Sequence, residues 1–152
     1  MPALKLVLDT NVWLDWLVFD DAGIAPLKNA VAQKQAVIFI DDACARELQS
    51  VLAYSLRKKI LPVDVQAAHL AECRRIAQTV DGGNDDAGEP LPKCRDADDQ
   101  KFLELARACR ADFLITKDLL LLELARRKVR RTPFRIVTPA QFAVTQTTAR
   151  QL

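Results

Sequence analysis

Four carboxylates stand where apolar runs of this chain give way to polar residues: Asp9 after Leu6-Val-Leu8, Glu47 shortly beyond Ala36-Val-Ile-Phe-Ile40, Asp99 closing Cys94-Arg-Asp-Ala-Asp-Asp99, and Asp118 after Leu114-Ile-Thr-Lys117. A strand that ends in an acid delivers that charge to the rim of a sheet. In an open parallel sheet the C-terminal strand ends lie side by side, and ligands bind outside them. Carboxylates gathered there repel one another unless a cation holds them. A donor set of oxygens alone, without imidazole or thiolate, suits a hard divalent ion, Mg²⁺ or Mn²⁺. Such an ion keeps several waters and is commonly completed by substrate phosphate, so the chemistry to expect is hydrolysis of a phosphodiester by an activated water. Asp96 is a candidate fifth acid, and the single histidine, His69, falls mid-helix and away from these positions. Each acid taken alone also reads as a helix cap. In that alternative the chain is a non-catalytic module that binds RNA or a protein partner.

The acids need an alternating α/β frame to meet. Leu4–Leu8 is a short, mostly apolar run, as expected of a strand buried on both faces in a parallel sheet. Val12, Trp13, Trp16 and Leu17 then follow a helical spacing that leaves Asp15 on the opposite face. That spacing assigns the two tryptophans to core or dimer packing rather than to stacking on bases. A second helix is expected over about 24–35, and Ala36–Ile40 is a β-branched strand that hands over to a third helix through the caps Asp41 and Asp42. In that helix Cys44, Leu48, Val51, Leu52 and Ser55 form the inward stripe, with Glu47 at its border. Pro62 opens a fourth helix, and the breaker-rich run from Asp81 to Pro92 reads as a loop. Asp96 or Asp98 caps a fifth helix carrying Phe102, Leu105 and Ala106. Phe113–Ile115 is a strand, Asp118 begins a Leu-rich sixth helix, and Phe134–Val137 is the last strand. Strands alternating with helices give an α/β fold with a mainly parallel central sheet.

Composition narrows the field. A chain of 152 residues with 50% hydrophobic and 28% charged residues is an ordinary globular domain, neither disordered nor collagen-like. It reads as one domain over residues 1–143 with a C-terminal tail at 144–152. Net charge is only +2, but Arg126, Arg127, Lys128, Arg130, Arg131 and Arg135 crowd together near the C-terminus. No apolar run approaches the roughly 20 residues needed to cross a bilayer, so no membrane association is expected. Four cysteines without a C-x-x-C pair are read as reduced thiols of a cytoplasmic protein.

Leu8-Asp9-Thr10-Asn11-Val12, Arg46-Glu47-Leu48, Cys94-Arg95-Asp96-Ala97-Asp98-Asp99 with Phe102-Leu103-Glu104-Leu105-Ala106, and Thr116-Lys117-Asp118 together resemble the PIN-domain nucleases. Ile136-Val-Thr-Pro-Ala-Gln-Phe142 is similar to the VapC-like branch of that family, toxin components of toxin–antitoxin systems. The resemblance implies a three-layer α/β/α sandwich, Mg²⁺- or Mn²⁺-dependent cleavage of RNA, frequent homodimers and a cognate antitoxin. By that resemblance Asp9, Glu47, Asp99 and Asp118 are the catalytic, metal-binding acids and Asp96 an extra one. Asn11 and Thr116 then support the first and last acids. The chain departs from the pattern at Ala97, where proline is frequent, and at Lys117, where a small residue is common. Affinity for nucleic acid comes largely from phosphate contacts, so Arg46, Lys93, Arg95 and Lys117, neighbours of the acids in sequence, are the candidate substrate-binding cations, with Lys101 close by. A flavodoxin-like or receiver-type domain would share the alternation, but the chain lacks both the phosphate-binding loop of the one and the paired acids of the other.

Overall fold

Leu4–Leu8 tolerates apolar residues on both faces because it is the middle strand of a sheet covered on both sides. In the computed structural model, which describes residues 2–81, 90–127 and 132–151, the chain runs β1 (Leu4–Leu8), α1 (Thr10–Leu17), a 3₁₀ turn (Ala22–Ile24), α2 (Ala25–Ala32), β2 (Ala36–Ile40), α3 (Asp42–Leu52), β3 (Ser55–Leu56), β4 (Lys59–Ile60), α4 (Val63–Ile76) and β5 (Gln78–Thr79). It continues through a second 3₁₀ turn (Ala97–Asp99), α5 (Gln100–Ala108), β6 (Phe113–Ile115), α6 (Leu119–Leu124), β7 (Arg135–Val137) and α7 (Pro139–Gln151). The main sheet has five strands in the order β5-β2-β1-β6-β7, and every pair is parallel. On one side α3 packs on α1, α4 and α5, while α2 packs on α7 and β2, completing the expected α/β/α layers.

The strand order creates the site. From β1 the chain works outward through β2 to β5, then crosses back to β6 and β7 on the other flank. Connections leaving β1 and its neighbour β6 therefore diverge, which opens a crevice outside the carboxyl end of β1. Asp9 is the residue that follows β1, and its N–H still donates to Ile115 O at 3.1 Å, so the ladder carries order into the crevice.

Several expectations are corrected. α3 stops at Leu52, and Ser55 lies exposed in the β3–β4 hairpin rather than on the helix's inward stripe. The second helix, expected to reach Gln35, ends at Ala32, where Lys34 at φ 60° turns the chain and Gln35 N–H caps Ala30 O at 2.8 Å. Asp15 is not on a solvent face: it is buried, 5% exposed, and paired with Lys117. α7 runs on past position 143, and its Phe142 is fully buried edge-on to Phe113, with ring centroids 5.8 Å apart. Trp13 is core and lies 6.0 Å from the Trp16 ring. All four cysteines are free, and burial pushes the thiols of Cys73 and Cys109 up to about 12 and about 11, far from thiolate chemistry at neutral pH. No helix among the described residues is long and apolar enough to cross a membrane. Most of the breaker-rich acidic run, residues 82–89, and Lys128, Arg130 and Arg131 of the basic stretch lie outside the described residues.

Candidate metal centre

Each acid of the crevice is positioned by the start of a helix or by the helix that flanks it. Asp9 caps α1, accepting the Val12 N–H on Oδ1 at 2.9 Å, while its Oδ2 accepts the hydroxyl of Thr116. Burial pushes its carboxyl up to about 6; the bonds from Thr116 and Val12 work against that rise, and the charge of Asp118 adds to it. Thr116 is fully buried, and its hydroxyl oxygen also accepts the Asp118 N–H at 2.9 Å. One hydroxyl thus ties the end of β6 to both the first and the last acid. Asp118 caps α6 with Oδ1, which accepts from Leu120 N–H at 2.8 Å and Leu121 N–H at 3.3 Å and leaves Oδ2 outside the cap.

Asp99 has a different assignment. Asp96 caps the 3₁₀ turn before α5, taking the Asp98 N–H on Oδ1 at 3.0 Å, so Asp99 is relieved of capping α5. Its Oδ2 is buried with no hydrogen-bond partner among the described residues. A buried acceptor without a donor costs about 1–3 kcal/mol, more when charged. Burial pushes the Asp99 carboxyl up to about 7, and the charges of Asp118, Asp96, Glu47 and Asp9 raise it further. That set of neighbours places all five acids in one electrostatic field.

Glu47 is held by an ammonium as well as a hydroxyl. Its Oε1 accepts from the Lys101 ammonium at 2.8 Å and its Oε2 from the hydroxyl of Thr10. Among the described residues no three or more His, Cys, Asp or Glu side chains are arranged closely enough to hold a metal ion as they stand. The arrangement is a shared field with hydroxyl and ammonium partners standing between the acids. Its chemistry still fits a hard divalent cation: oxygen donors only, a buried orphan oxygen on Asp99, and carboxyls of Asp9 and Asp99 raised by burial and by their acidic neighbours. Asp9, Glu47, Asp99 and Asp118 would hold the ion, with Asp96 at the exposed border.

The remaining sequence candidates divide. Asn11 is exposed and its side chain makes no hydrogen bond among the described residues, whereas the Thr116 hydroxyl bonds Asp9 and the Thr10 hydroxyl bonds Glu47. Arg46 pairs with Asp42 on the outer surface of α3, Arg95 with Glu123 at 3.0 Å, and Lys117 with buried Asp15. Lys93 is exposed and has no acidic partner among the described residues. The motifs did not single out Thr10 or Asp15, and they offered Lys101 only as a cation near the acids, not as the partner of Glu47. Thr10 directly follows the first acid and Lys101 lies one helical turn beyond Asp98, so adjacency was the one available signal.

A family model described as the PIN domain matches residues 5–120, from β1 to the first turn of α6. The chain belongs to the PIN-domain family. The matched span holds all four acids and Thr116. No curated protein sequence matches this PIN domain. Among solved structures, VapBC2 from Rickettsia felis bound to a DNA fragment from their promoter is similar at TM-score 0.59 and 15% identity, over 89% of this chain and 98% of the other. PAE2754 from Pyrobaculum aerophilum is similar at TM-score 0.53 and 13% identity, over 97% and 94% of the two chains. At such identities the likeness is one of fold, and it covers more of the chain than the family match does.

Proposed function

We propose that this PIN domain is a metal-dependent endoribonuclease that hydrolyses RNA phosphodiesters with an activated water, and that it is the toxin of a toxin–antitoxin pair. The observation that carries the reading is the single field shared by Asp9, Glu47, Asp96, Asp99 and Asp118 at the switch point, with a buried Asp99 oxygen that has no donor among the described residues. Membership of a nuclease family supports it. Mg²⁺ or Mn²⁺ bound by these acids supplies Lewis acidity to the phosphate and lowers the pKa of a bound water.

The chain's own residues do the positioning. Thr116 fixes the Oδ2 edge of Asp9, and the α6 cap fixes Asp118 so that its second oxygen is the one presented. Asp99, whose carboxyl is pushed up to about 7 by burial and by the surrounding carboxylates, is the acid whose charge a bound cation would offset most. Lys93, Arg95, Lys117 and Arg46 contact substrate phosphates; the exposed pairs of Arg95 and Arg46 are weak enough to exchange for a phosphate partner. An antitoxin protein, a homodimer and a cytoplasmic location belong to the same proposal, supported by the family and by the fold shared with VapBC2 from Rickettsia felis.

Purified protein with Mn²⁺ is expected to cut single-stranded RNA, and Asp9→Asn to abolish the cut. Equal activity in both proteins identifies a contaminant and sinks the reading. One observation favours a second reading: Asp9, Asp96 and Asp118 all do cap helices or turns, as they would in a non-catalytic RNA- or protein-binding module. RNA retention without cleavage in either protein would select that module.

A further inference from the structure

We propose that Lys101 is the resident counter-ion of the acid cluster, a positioning residue for Glu47 whose ammonium competes with the divalent cation for that carboxylate. The inference rests on the metal-dependent reading above and deepens it. Lys101 Nζ lies 2.8 Å from Glu47 Oε1 and also donates to the Asp98 backbone carbonyl, so the ammonium is fixed by two elements, α3 and the turn that precedes α5. Both side chains of the pair are largely withdrawn from water, with 22% and 26% exposure. An ion pair in that position is screened less than a surface pair. The opposite edge of Glu47, Oε2, holds the Thr10 hydroxyl. Each oxygen of Glu47 thus already accepts a hydrogen bond, and a cation approaching Oε1 meets the Lys101 charge beside it. The other acids differ in carrying no cation among the described residues: Asp99 keeps an orphan oxygen, Asp118 keeps Oδ2 outside its cap, and Asp9 accepts only from the Val12 N–H and the Thr116 hydroxyl. Among the described residues Glu47 is the one acid of the cluster paired with a cation of the chain itself, and a divalent ion would reach it by exchange.

The exchange has a direction that a purely structural ion pair lacks. Removing the ammonium unbalances the metal-free cluster and clears the carboxylate for metal. Lys101→Met, which keeps a stem to pack beside Phe102, is therefore expected to lower the melting temperature of the metal-free protein and to tighten Mn²⁺ roughly two- to tenfold by titration calorimetry, where tenfold corresponds to one pK unit of lost competition. Lys101→Arg keeps the charge and stays near wild type in both readings. Lys101→Gln is the second neutral variant should the methionine form fail to fold. In a Glu47→Gln background, Lys101→Met is expected to change Mn²⁺ affinity by less than about twofold, because the coupled partner is gone. A folded neutral variant with unchanged or weaker Mn²⁺ binding overturns the proposal, as does equal tightening in the Glu47→Gln background. A wild-type protein that binds no Mn²⁺ at all defeats the metal-dependent reading first and this inference with it, an outcome distinct from failure of the variants alone.

Discussion

Asp9 and Asp99 carry protons in the folded protein at pH values where an unfolded chain has lost them, with carboxyls raised from 3.8 to about 6 and about 7. An acid raised by folding contributes stability that is complete below its unfolded pKa and is lost as pH climbs through the folded one. The metal-free protein is therefore expected to lose melting temperature between about pH 4 and 7, with Asp9 alone responsible for something on the order of 3 kcal/mol at about 1.4 kcal/mol per pK unit. Asp9→Asn should flatten part of that decline and raise the melting temperature at pH 8. Saturating Mn²⁺ should reverse the decline and release protons near pH 7, measurable as a buffer-dependent heat. A metal-free melting temperature that is flat across this window would refute the crowding of the acids. Asp15 and Lys117 form a second pair at the same scale. Lys117 is half exposed and Asp15 is not, so Lys117→Met strands a buried carboxylate, whereas Asp15→Asn leaves a lysine able to reach water. Urea unfolding should show the lysine variant to be the less stable of the two by about 1–3 kcal/mol.

At the scale of elements, the start of α7 is written in four residues. Thr138 Oγ1 accepts the Gln141 N–H at 3.1 Å, Gln141 Oε1 accepts the Thr138 N–H at 2.9 Å, and Pro139 opens the helix between them. This is a capping box, with proline at the position where its missing N–H costs nothing. Behind it Phe142 seals the core against Phe113, so Phe142→Ala should cost about 3–5 kcal/mol in chemical denaturation. Truncation after residue 143 leaves five residues of a thirteen-residue helix and should lower the melting temperature clearly; an unchanged value would make 144–152 a dispensable tail. The box Thr-Pro-Ala-Gln was there to be read, and it argues for a helix where a tail was expected. The main strands were legible because each is a compact apolar run, and the acids because each follows such a run. The β3–β4 hairpin was not legible: its turn residues Arg57 and Lys58 both sit at positive φ, 48° and 66°, a conformation signalled in sequence by Asn-Gly rather than Arg-Lys. β5 is two polar residues, Gln78 and Thr79, recruited by pairing with β2, which no local pattern announces. Thr116 was legible by its place before Asp118, but Thr10 and Lys101 were not, because a hydroxyl or ammonium partner across 37 or 54 residues is a product of topology.

The whole molecule carries a net charge of only +2, and its site is acidic, so RNA meets no strong general attraction. Arg46, Arg95 and Lys117 are each committed to an acid of the chain in the free protein, which reduces their pull on a distant phosphate. Binding should therefore depend on the divalent ion to reverse the sign of the crevice, with a few of these cations engaging once phosphate has arrived. With two to four phosphates neutralised, the slope of log affinity against log salt for single-stranded RNA is expected to be shallow, about −1.4 to −2.8. Fluorescence anisotropy with Ca²⁺ in place of Mn²⁺, to hold off cleavage, measures it, and the double variant Lys93→Ala with Arg95→Ala should reduce the slope by about 1.4. A slope several times steeper, persisting without any divalent ion, would mean that RNA is held by a basic surface away from the crevice. The acids would then be serving the helices they cap and not a phosphodiester.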